Sequence, residues 1–459
     1  MTKTLIENGW VIPMTGRGVT WPDGVVAVED GRIAYAGPKS GLPADFRPNR
    51  RIDAEGKAVL PGLINTHLHF VGAFNKATTE DAKKEGGNSF KRGILFQEDH
   101  VRKEHVYLPG LLHGLEALRT GTTTVNEMWW HQPESARVAV DLGIRAIVGA
   151  CVREMNTGTI DPSRNERDWI PDVAERDLDD AVALFEQWQG AGDGRVTCRM
   201  APDGPDRMRP ETMDRCRELA DKYGLGLHLH CASVPAEQGF MEKAYGKRAV
   251  NFLHDHGCLG PGTVLVHCVF VDNEEIALME ETDSRFSHTA YLVGKRAYYP
   301  PMDKFYTSRV EVSLGTDWMS NDMFKVMRAA ILLGRITTGD QALLDAWDAL
   351  ELATMGGARC LNMADQIGSL EAGKKADLIM VDLRTPWVAP VRRENVVADL
   401  VYNANGSDVT DVMVDGRLVV ENRRHADIDE AELIHDVQKM ADTVWADAAD
   451  LFTVRPAAE

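Results

Sequence analysis

The middle of the chain, from about residue 59 to 365, alternates short apolar stretches with segments whose apolar residues recur every three or four positions. The first pattern indicates buried strands and the second amphipathic helices. Eight strands alternating with helices over about 300 residues are typical of a (β/α)8 TIM-type barrel, an α/β fold. A doubly wound open sheet is the alternative, but no Gly-x-Gly-x-x-Gly motif follows any strand. The predicted strands are 58–69, 122–128, 145–152, 195–201, 225–230, 263–269, 285–289 and 310–317.

Both ends of the chain carry a different pattern. Residues 25–37 and 411–423 each contain an alternating strand, an acid-Gly turn and a second alternating strand, which predicts a β-hairpin. A further buried strand is predicted at 376–383. We therefore expect a small composite β-sandwich domain formed by both chain ends, with the barrel inserted between them. The predicted division is an N-terminal β-sandwich segment at 1–58, the barrel at 59–365, a C-terminal β-sandwich segment at 366–424 and an acidic C-terminal helix at 425–459.

Composition and charge narrow the class of partner. Acidic residues outnumber basic ones by 70 to 51 in the 459 residues, giving a formal net charge of −19. Such a surface repels nucleic-acid phosphates and anionic lipids, so neither nucleic acid nor a membrane is an expected partner. No apolar run has the length of a membrane span, the first residues lack a signal-peptide pattern, and the seven cysteines form no Cys-x-x-Cys pair. We expect a cytoplasmic protein that acts on a small molecule.

Histidines and an aspartate fall at the ends of the predicted strands, where a TIM-type barrel places its active site. Side chains two positions apart in a strand share a face, so each His-x-His pair can point at one ion. A single pair is weak evidence, because buried histidines are at least as often held by packing. Two pairs with further strand-end histidines and an aspartate predict a site for a divalent cation that keeps one position open for water. These residues are His67, His69, His228, His230, His267, His288 and Asp317.

The motifs around these residues resemble those of the amidohydrolase superfamily almost from end to end. PGLINTHLH (61–69) resembles its first metal motif, LHLH (227–230) its strand-five motif and VLVHCV (264–269) its strand-six motif. SLGTDWMSND (313–322) resembles the strand-eight motif, and residues 357–382 resemble the return into the β domain. The branch that the sequence resembles contains cytosine and guanine deaminases, methylthioadenosine/S-adenosylhomocysteine deaminases and triazine hydrolases.

The resemblance implies one divalent metal ion per chain, with zinc expected and iron, cobalt or manganese as alternatives. Binuclear members of the superfamily join two metals through a lysine of strand four, and residues 195–201 contain no lysine. Asp317 is implied as the group that carries the proton of water to the leaving nitrogen, and His267 as the stabiliser of charge on the substrate. His228 is expected to be structural, and a homo-oligomer, a dimer or larger, is expected by analogy. The implied metal ligands are His67, His69, His230 and Asp317.

Two positions depart from the deaminases of that branch. They carry a glutamate three residues after the strand-five ligand, which protonates a ring nitrogen, and this chain has Ser233 there. They carry a strand-four histidine where this chain has Asp203. A serine hydroxyl is too weak an acid to replace the carboxyl group. The sequence therefore favours hydrolysis of a C–N bond in an amide, urea or carbamate. Deamination of a nitrogen heterocycle, with Glu237 or Asp203 as proton carrier, and displacement of another group from a heteroaromatic carbon are the alternatives. A catalytically inactive metal-binding relative is the alternative of another class.

Strand-end position alone suggests residues that contact the substrate. An indole beside the metal site offers a flat surface for a planar ring, and charged or polar groups at neighbouring strand ends can orient it. The candidates are Trp129, Arg153, Asp203, Ser233, His288 and Trp318.

Overall fold

The computed structural model describes residues 3–81, 91–156, 160, 166–318 and 320–452. Strands of these residues form two sheets. The strands are β1 (Lys3–Val11), β2 (Trp21–Glu29), β3 (Arg32–Pro38), β4 (Arg50–Asp53), β5 (Lys57–Pro61), β6 (Leu63–Leu68), β7 (Thr122–Trp129), β8 (Arg145–Val152), β9 (Val196–Pro202), β10 (Leu227–Cys231), β11 (Thr263–His267), β12 (Arg285–His288), β13 (Val312–Leu314), β14 (Leu378–Asp382), β15 (Val409–Val414), β16 (Arg417–Glu421) and β17 (Arg424–His425).

Helices connect the barrel strands and cover their outer face. The helices are α1 (Phe96–His100), α2 (Tyr107–Arg119), α3 (Gln132–Leu142), α4 (Pro171–Trp188), α5 (Ala191–Gly194), α6 (Pro210–Tyr223), α7 (Pro235–Tyr245), α8 (Ala249–Asp255), α9 (Asn273–Glu281), α10 (Ala290–Lys295), α11 (Met302–Thr307), α12 (Met323–Thr338), α13 (Ala346–Glu351), α14 (Gly357–Cys360), α15 (Val396–Tyr402), α16 (Glu430–Asp447) and α17 (Ala449–Phe452).

The eight strands β6 to β13 are parallel and pair in sequence order. The sheet closes where β6 meets the segment after β13, because the backbone N–H groups of Thr316 and Asp317 both donate to the carbonyl of His67, at 3.0 and 2.9 Å. Every position of β7 and β8 is buried, as expected for parallel strands covered on both faces. The predicted TIM-type barrel is confirmed.

The first predicted strand, 58–69, is two strands in the structure. Its first half is β5, which pairs antiparallel with β14 in the other sheet. The barrel begins only after Gly62, where a Cβ atom would lie 2.0 Å from the hydroxyl of Thr123. The chain can therefore cross from one sheet to the other at this position only because the residue has no side chain.

The nine-stranded sheet combines both ends of the chain, as predicted. Its order is β17-β16-β15-β14-β5-β1-β2-β3, with β4 beside β1. The two predicted hairpins are β2–β3 and β15–β16. Their turns are Asp30–Gly31 and Asp415–Gly416, and all four residues have a positive φ, as type I′ turns require. The exact boundaries of the four predicted segments stay a prediction.

Buried ion pairs connect the barrel to the nine-stranded sheet. Arg145, at the start of β8, is 2% exposed and donates to both carboxylate oxygens of Asp377, at 2.8 and 3.1 Å. It also lies 3.2 Å from a carboxylate oxygen of Asp415.

The predicted C-terminal helix corresponds to α16, whose buried face packs against α2. Positions 453–459 of that prediction lie outside the described residues. None of the helices in the described ranges is both long and apolar enough to cross a membrane.

Candidate metal centre and active site

Three of the predicted metal ligands meet where the barrel closes. His67 and His69 lie at the end of β6, and Asp317 follows β13 in the turn that bonds to β6. The Nε2 atom of His67 is 3.5 Å from Oδ2 of Asp317, and Nε2 of His69 is 3.7 Å from Oδ1. One carboxylate therefore faces both imidazoles of the first His-x-His pair.

The strand-five and strand-six histidines complete the group. His230 lies on β10 and His267 ends β11, and their rings stack with centroids 5.4 Å apart. A nitrogen from each of His67, His230 and His267 lies within 4.8 Å of the others. Nε2 of His267 is also 3.6 Å from Oδ2 of Asp317. We call His67, His69, His230, His267 and Asp317 the His-Asp cluster.

Each histidine of the His-Asp cluster has its Nδ1 atom held by a buried partner. Such contacts fix the tautomer and ring orientation, leaving Nε2 to coordinate. His228 is one of these partners, so it supports the cluster from one layer deeper in the barrel. The contacts are His67 Nδ1 with His228 Nε2 at 3.0 Å, His69 Nδ1 with the Met128 carbonyl, His230 Nδ1 with the Asp203 carbonyl at 2.7 Å, and His267 Nδ1 with the Thr289 hydroxyl at 2.8 Å.

The cluster fits a divalent metal ion. The Nε2 atom of His67 is fully buried and has no hydrogen-bond partner among the described residues, an arrangement that is costly unless a ligand satisfies the nitrogen. Burial lowers the pKa of His67, His69 and His267, which keeps each ring in the neutral form that binds metals. Burial would raise the pKa of Asp317, but contact with the imidazoles, chiefly His67, holds it well below its usual value.

Backbone strain accompanies the cluster. His267 has a φ of 76° and Asp317 a φ of 65°, both in the left-handed region that non-glycine residues rarely adopt. Such conformations cost about 1–3 kcal/mol each and persist where the surrounding structure imposes them. His267 ends β11 and Asp317 follows β13, so the left-handed turns lie at two separate strand ends that each supply a cluster side chain.

A cavity opens beside the cluster. The space free of protein atoms there is about 390 Å³, part of it open to solvent. The predicted substrate contacts Trp129, Ser233 and Trp318 line it. Trp129 packs against His69 with ring centroids 4.6 Å apart, and Trp318 lies 5.4 Å from Trp129. Four residues that the sequence reasoning did not single out as cavity residues also line it: Ile94, Arg207, Val234 and Arg296.

Arg153, a predicted substrate contact, does not line this cavity. It forms an ion pair with Glu98 at 2.6 Å and lies over the ring of Trp130. The neighbouring Glu154 pairs with Arg209 rather than with Arg153. The charges of Arg153 and Glu154 are therefore neutralised by ion pairs with other residues beside the site.

The other two predicted substrate contacts, Asp203 and His288, also lie outside the cavity lining. Asp203 contacts His230 and forms an ion pair with Arg207 at 2.6 Å, so it supports a cluster residue. His288 is fully buried between the rings of Phe286 and Tyr299. Burial lowers the pKa of His288 to about 3, consistent with a neutral packing residue.

Ser233 is tied to a second carboxyl group. Glu237, in the first turn of α7, folds back so that its Oε2 accepts from the backbone N–H of Ser233 at 2.7 Å and from its hydroxyl at 2.9 Å. Its Oε1 accepts from the N–H of Ala232 at 2.5 Å. Burial, with a further contribution from Asp206, raises the pKa of Glu237 to about 7. A carboxyl group that titrates near neutrality therefore stands directly behind a cavity-lining hydroxyl.

A barrel with buried histidines and an aspartate at the carboxyl ends of its strands, next to a cavity, defines a metal-dependent hydrolase of the TIM-barrel type. The family model of the amidohydrolase family matches residues 58–419. The chain therefore belongs to the amidohydrolase family and is a hydrolytic enzyme that acts on C–N bonds.

Similar proteins cover nearly the whole chain. The 5-methylthioadenosine/S-adenosylhomocysteine deaminase of Moorella thermoacetica is 33% identical over 444 residues, which is 96% of this chain and 99% of the relative. The 5'-deoxyadenosine deaminase of Methanosarcina acetivorans is 31% identical and covers 98% of this chain and 100% of its own length. An adenosine deaminase from Xanthomonas campestris, solved with bound zinc, has a TM-score of 0.87 and 28% identity over 97% of this chain and 99% of its own.

Proposed function

We propose that the protein is a zinc-dependent aminohydrolase that deaminates an amino-substituted nitrogen heterocycle of the adenine type. The overall reaction replaces the exocyclic amine of the ring by oxygen, consuming one water and releasing one ammonia. The observation that carries the proposal is the hydrogen bond between Ser233 and Glu237. On sequence alone, an amide substrate was favoured because position 233 holds no carboxyl group that could protonate a ring nitrogen. Glu237 supplies such a carboxyl group.

Ser233 and Glu237 can act together as an acid. Addition of water to an aromatic carbon requires protonation of the neighbouring ring nitrogen, since otherwise the adduct gathers negative charge. A serine hydroxyl alone does not supply this proton, but it can pass one on. When Glu237 is protonated, the 2.9 Å contact carries its proton to the Ser233 oxygen while the hydroxyl proton moves to the substrate. The raised pKa of Glu237 makes the protonated form accessible at neutral pH.

The His-Asp cluster provides the other half of the reaction. We assign His67, His69, His230 and Asp317 as the ligands of one divalent ion, which when bound would lower the pKa of water from 15.7 to about 7. Asp317 accepts the first proton of the attacking water and delivers it to the departing amine, so that the C–N bond breaks with release of ammonia. The second proton of the water returns to Glu237 through Ser233, and the ring nitrogen keeps the proton it received. His267 stabilises the developing negative charge.

The substrates of the relatives support this choice. The two relatives at 31–33% identity and the solved zinc enzyme are all named as deaminases of adenosine derivatives. Trp129 and Trp318 offer flat apolar surfaces on the cavity wall, which suits a planar heterocycle. Ring deamination, kept as an alternative from the sequence, is therefore preferred over hydrolysis of an amide, urea or carbamate.

The test is a panel of amines and amides assayed with the zinc-loaded enzyme. We expect ammonia release from adenosine, 5'-deoxyadenosine or 5'-methylthioadenosine, and a loss of about 10²-fold in kcat for both Ser233→Ala and Glu237→Gln. Glu242→Gln is the matched control, because Glu242 lies on the same helix and is 55% exposed. Release of an amine from ureas or amides, without ammonia from any heterocycle, would contradict the proposal.

We further propose that the enzyme is cytoplasmic and forms a homo-oligomer. All seven cysteines are buried free thiols, which suits a reducing compartment. Leu332 and Ile336, 53% and 76% exposed, lie one turn apart on α12 and offer an apolar surface to a second copy. Light scattering of purified protein, with Ile336→Glu as the variant expected to dissociate it, tests whether the enzyme is an oligomer.

A further inference from the structure

Arg296 stands out among the residues that line the cavity. It follows α10, directly after the strand-seven end of the barrel, and its side chain reaches the cavity beside Asp317. Within the described residues, its guanidinium group has no hydrogen bond to a side chain or carbonyl and no ion pair. Burial lowers the pKa of Arg296, with partial compensation from Asp317. Its side chain is partly exposed, so the charge is accessible to a bound ligand while no ion pair within the described residues neutralises it.

Arg207, the other arginine of the cavity lining, shows the contrast. Its guanidinium lies 2.6 Å from Asp203 and 3.6 Å from Asp206, so its charge is already balanced. Asp317 cannot balance Arg296 in the same way, because its two oxygens face the three histidines of the cluster. The guanidinium of Arg296 is therefore a positive charge in the cavity lining that no carboxylate of the described residues there neutralises.

Two neutral donors accompany this charge. The indole N–H groups of Trp129 and Trp318 are buried and have no partner among the described residues, although both rings line the cavity. Four other indole N–H groups of the described residues, those of Trp10, Trp130, Trp188 and Trp445, are also unpaired, but of the six only Trp129 and Trp318 line this cavity. Arginine and indole N–H groups together suit an acceptor-rich, negatively charged ligand.

We propose that Arg296 binds an oxyanion, a carboxylate or a phosphate, carried by the substrate whose ring is deaminated. Arg296 lines the same cavity as the His-Asp cluster and acts electrostatically on His267 and Asp317, so an anion that pairs with Arg296 belongs to the molecule whose ring is bound at the cluster. The substrate class is then an anionic amino-heterocycle. This inference rests on the proposed function, because it names the substrate of the same site.

The experiment uses ligand pairs that differ only in the anion. The pairs are 4-aminopyrimidine with 4-aminopyrimidine-5-carboxylate, and adenosine with adenosine 5'-monophosphate. Calorimetry with zinc-loaded enzyme measures their affinity, and ammonia release is measured separately. We expect the anionic member of at least one pair to bind about 10- to 100-fold more tightly than its neutral partner. The pair that shows the preference identifies whether a carboxylate or a phosphate is the group recognised.

Three variants separate recognition from folding. Arg296→Gln should abolish the preference for the anion while changing affinity for the neutral ligand less than about twofold, and Arg296→Lys should restore some of it. Arg309→Gln, at a residue whose side chain is 87% exposed, controls for the change in net charge. Metal content and melting temperature are measured for all of them.

The outcomes distinguish the inference from the function on which it rests. Equal affinity for both members of each pair, no binding of either anion, or an equal loss of both ligands in Arg296→Gln would overturn the role of Arg296, even if adenosine is deaminated. A clear preference for the anion without ammonia release from any heterocycle would retain Arg296 as an oxyanion site and overturn deamination.

Discussion

The two walls of the cavity are built on different principles. On the wall formed by β6, β10, β11 and the segment after β13, each imidazole has its Nδ1 atom fixed by a buried partner. Among the other residues that line the cavity, the indole N–H groups of Trp129 and Trp318 and the guanidinium of Arg296 have no partner within the described residues. We call the His-Asp cluster the metal wall and these three side chains the second wall. Under the proposed function, the metal wall carries the chemistry and the second wall recognises the substrate.

The largest expected effect comes from breaking the metal wall. Asp317→Asn removes the one carboxylate that faces three imidazoles at 3.5–3.7 Å, and an amide is a much weaker ligand for a divalent cation. We expect loss of metal, measured by elemental analysis, and a fall in kcat/KM of about 10³-fold or more. Asp303→Asn, at a position of α11 whose side chain is 44% exposed, should change neither. Full metal content in Asp317→Asn would show that the histidines alone hold the ion.

A variant of His267 tests whether this residue is a metal ligand or acts on the substrate. It belongs to the His-Asp cluster by distance, yet the amidohydrolase resemblance assigns it to the substrate rather than to the metal. We expect His267→Asn to keep the metal while kcat falls by about 10²–10³-fold, the usual cost of losing one electrostatic stabiliser. Metal content and kcat are measured on the same preparation. An empty site in this variant would make His267 a ligand.

Glu237 gives the reaction a pH dependence through its hydrogen bond with Ser233, which lines the cavity. Its pKa is raised to about 7 by burial and by Asp206, with Arg207 acting in the opposite direction. The acid form is required to protonate the ring, and it is the form present below the raised pKa. We therefore expect kcat/KM to fall as the pH rises above about 7, by up to tenfold per pH unit.

The variant Glu237→Gln should remove this alkaline limb together with about 10²-fold of the rate, because the amide does not titrate. The profile of Glu242→Gln should match that of the unaltered enzyme. An alkaline limb that survives in Glu237→Gln would assign the titration to another group and weaken the proposed relay.

The metal wall could be predicted from sequence because its residues follow a local rule. The two-residue period of a strand puts both members of a His-x-His pair on one face, and barrel strands all end at the same rim. The left-handed turn at Asp317 leaves no such signal, and the predicted strand 310–317 shortens to Val312–Leu314. Even so, the position of an aspartate after a glycine-threonine pair was enough to place it at the rim.

The surroundings of the metal wall could be predicted only partially because their contacts do not follow strand periodicity. Pro235 at the first position of α7, with Glu237 two residues later, is a recognisable helix start that indicates where Glu237 lies, but not that it bonds to Ser233. Arg153 and His288 share the strand-end position of the ligands, yet partners distant in sequence hold them elsewhere. Nothing in the pattern around Arg296 distinguishes it from an ordinary basic residue at a helix end.

The smallest expected effect comes from Asp203, which contacts both His230 of the metal wall and Arg207. Its carbonyl accepts from His230 Nδ1 at 2.7 Å, its carboxylate lies 3.1 Å from the same nitrogen, and the carboxylate also pairs with Arg207. Asp203→Asn leaves the carbonyl contact in place but removes the charge, and frees Arg207, whose guanidinium lies 3.3 Å from His230 Nδ1. Loss of a partner of this kind typically weakens metal binding by about 10- to 100-fold.

Because the carbonyl contact of Asp203 survives, we expect the low end of that range, about tenfold, in a competition titration against a chromogenic chelator. Asp206→Asn is the matched control, since Asp206 also lies near Arg207, at 3.6 Å, and its ion pairs are with arginines rather than with His230. A tenfold loss in Asp203→Asn alone would show that the carboxylate helps to orient His230 for the metal. Equal losses in both variants would trace the effect to the released charge of Arg207, and an unchanged metal affinity would mean that the backbone carbonyl orients His230 by itself.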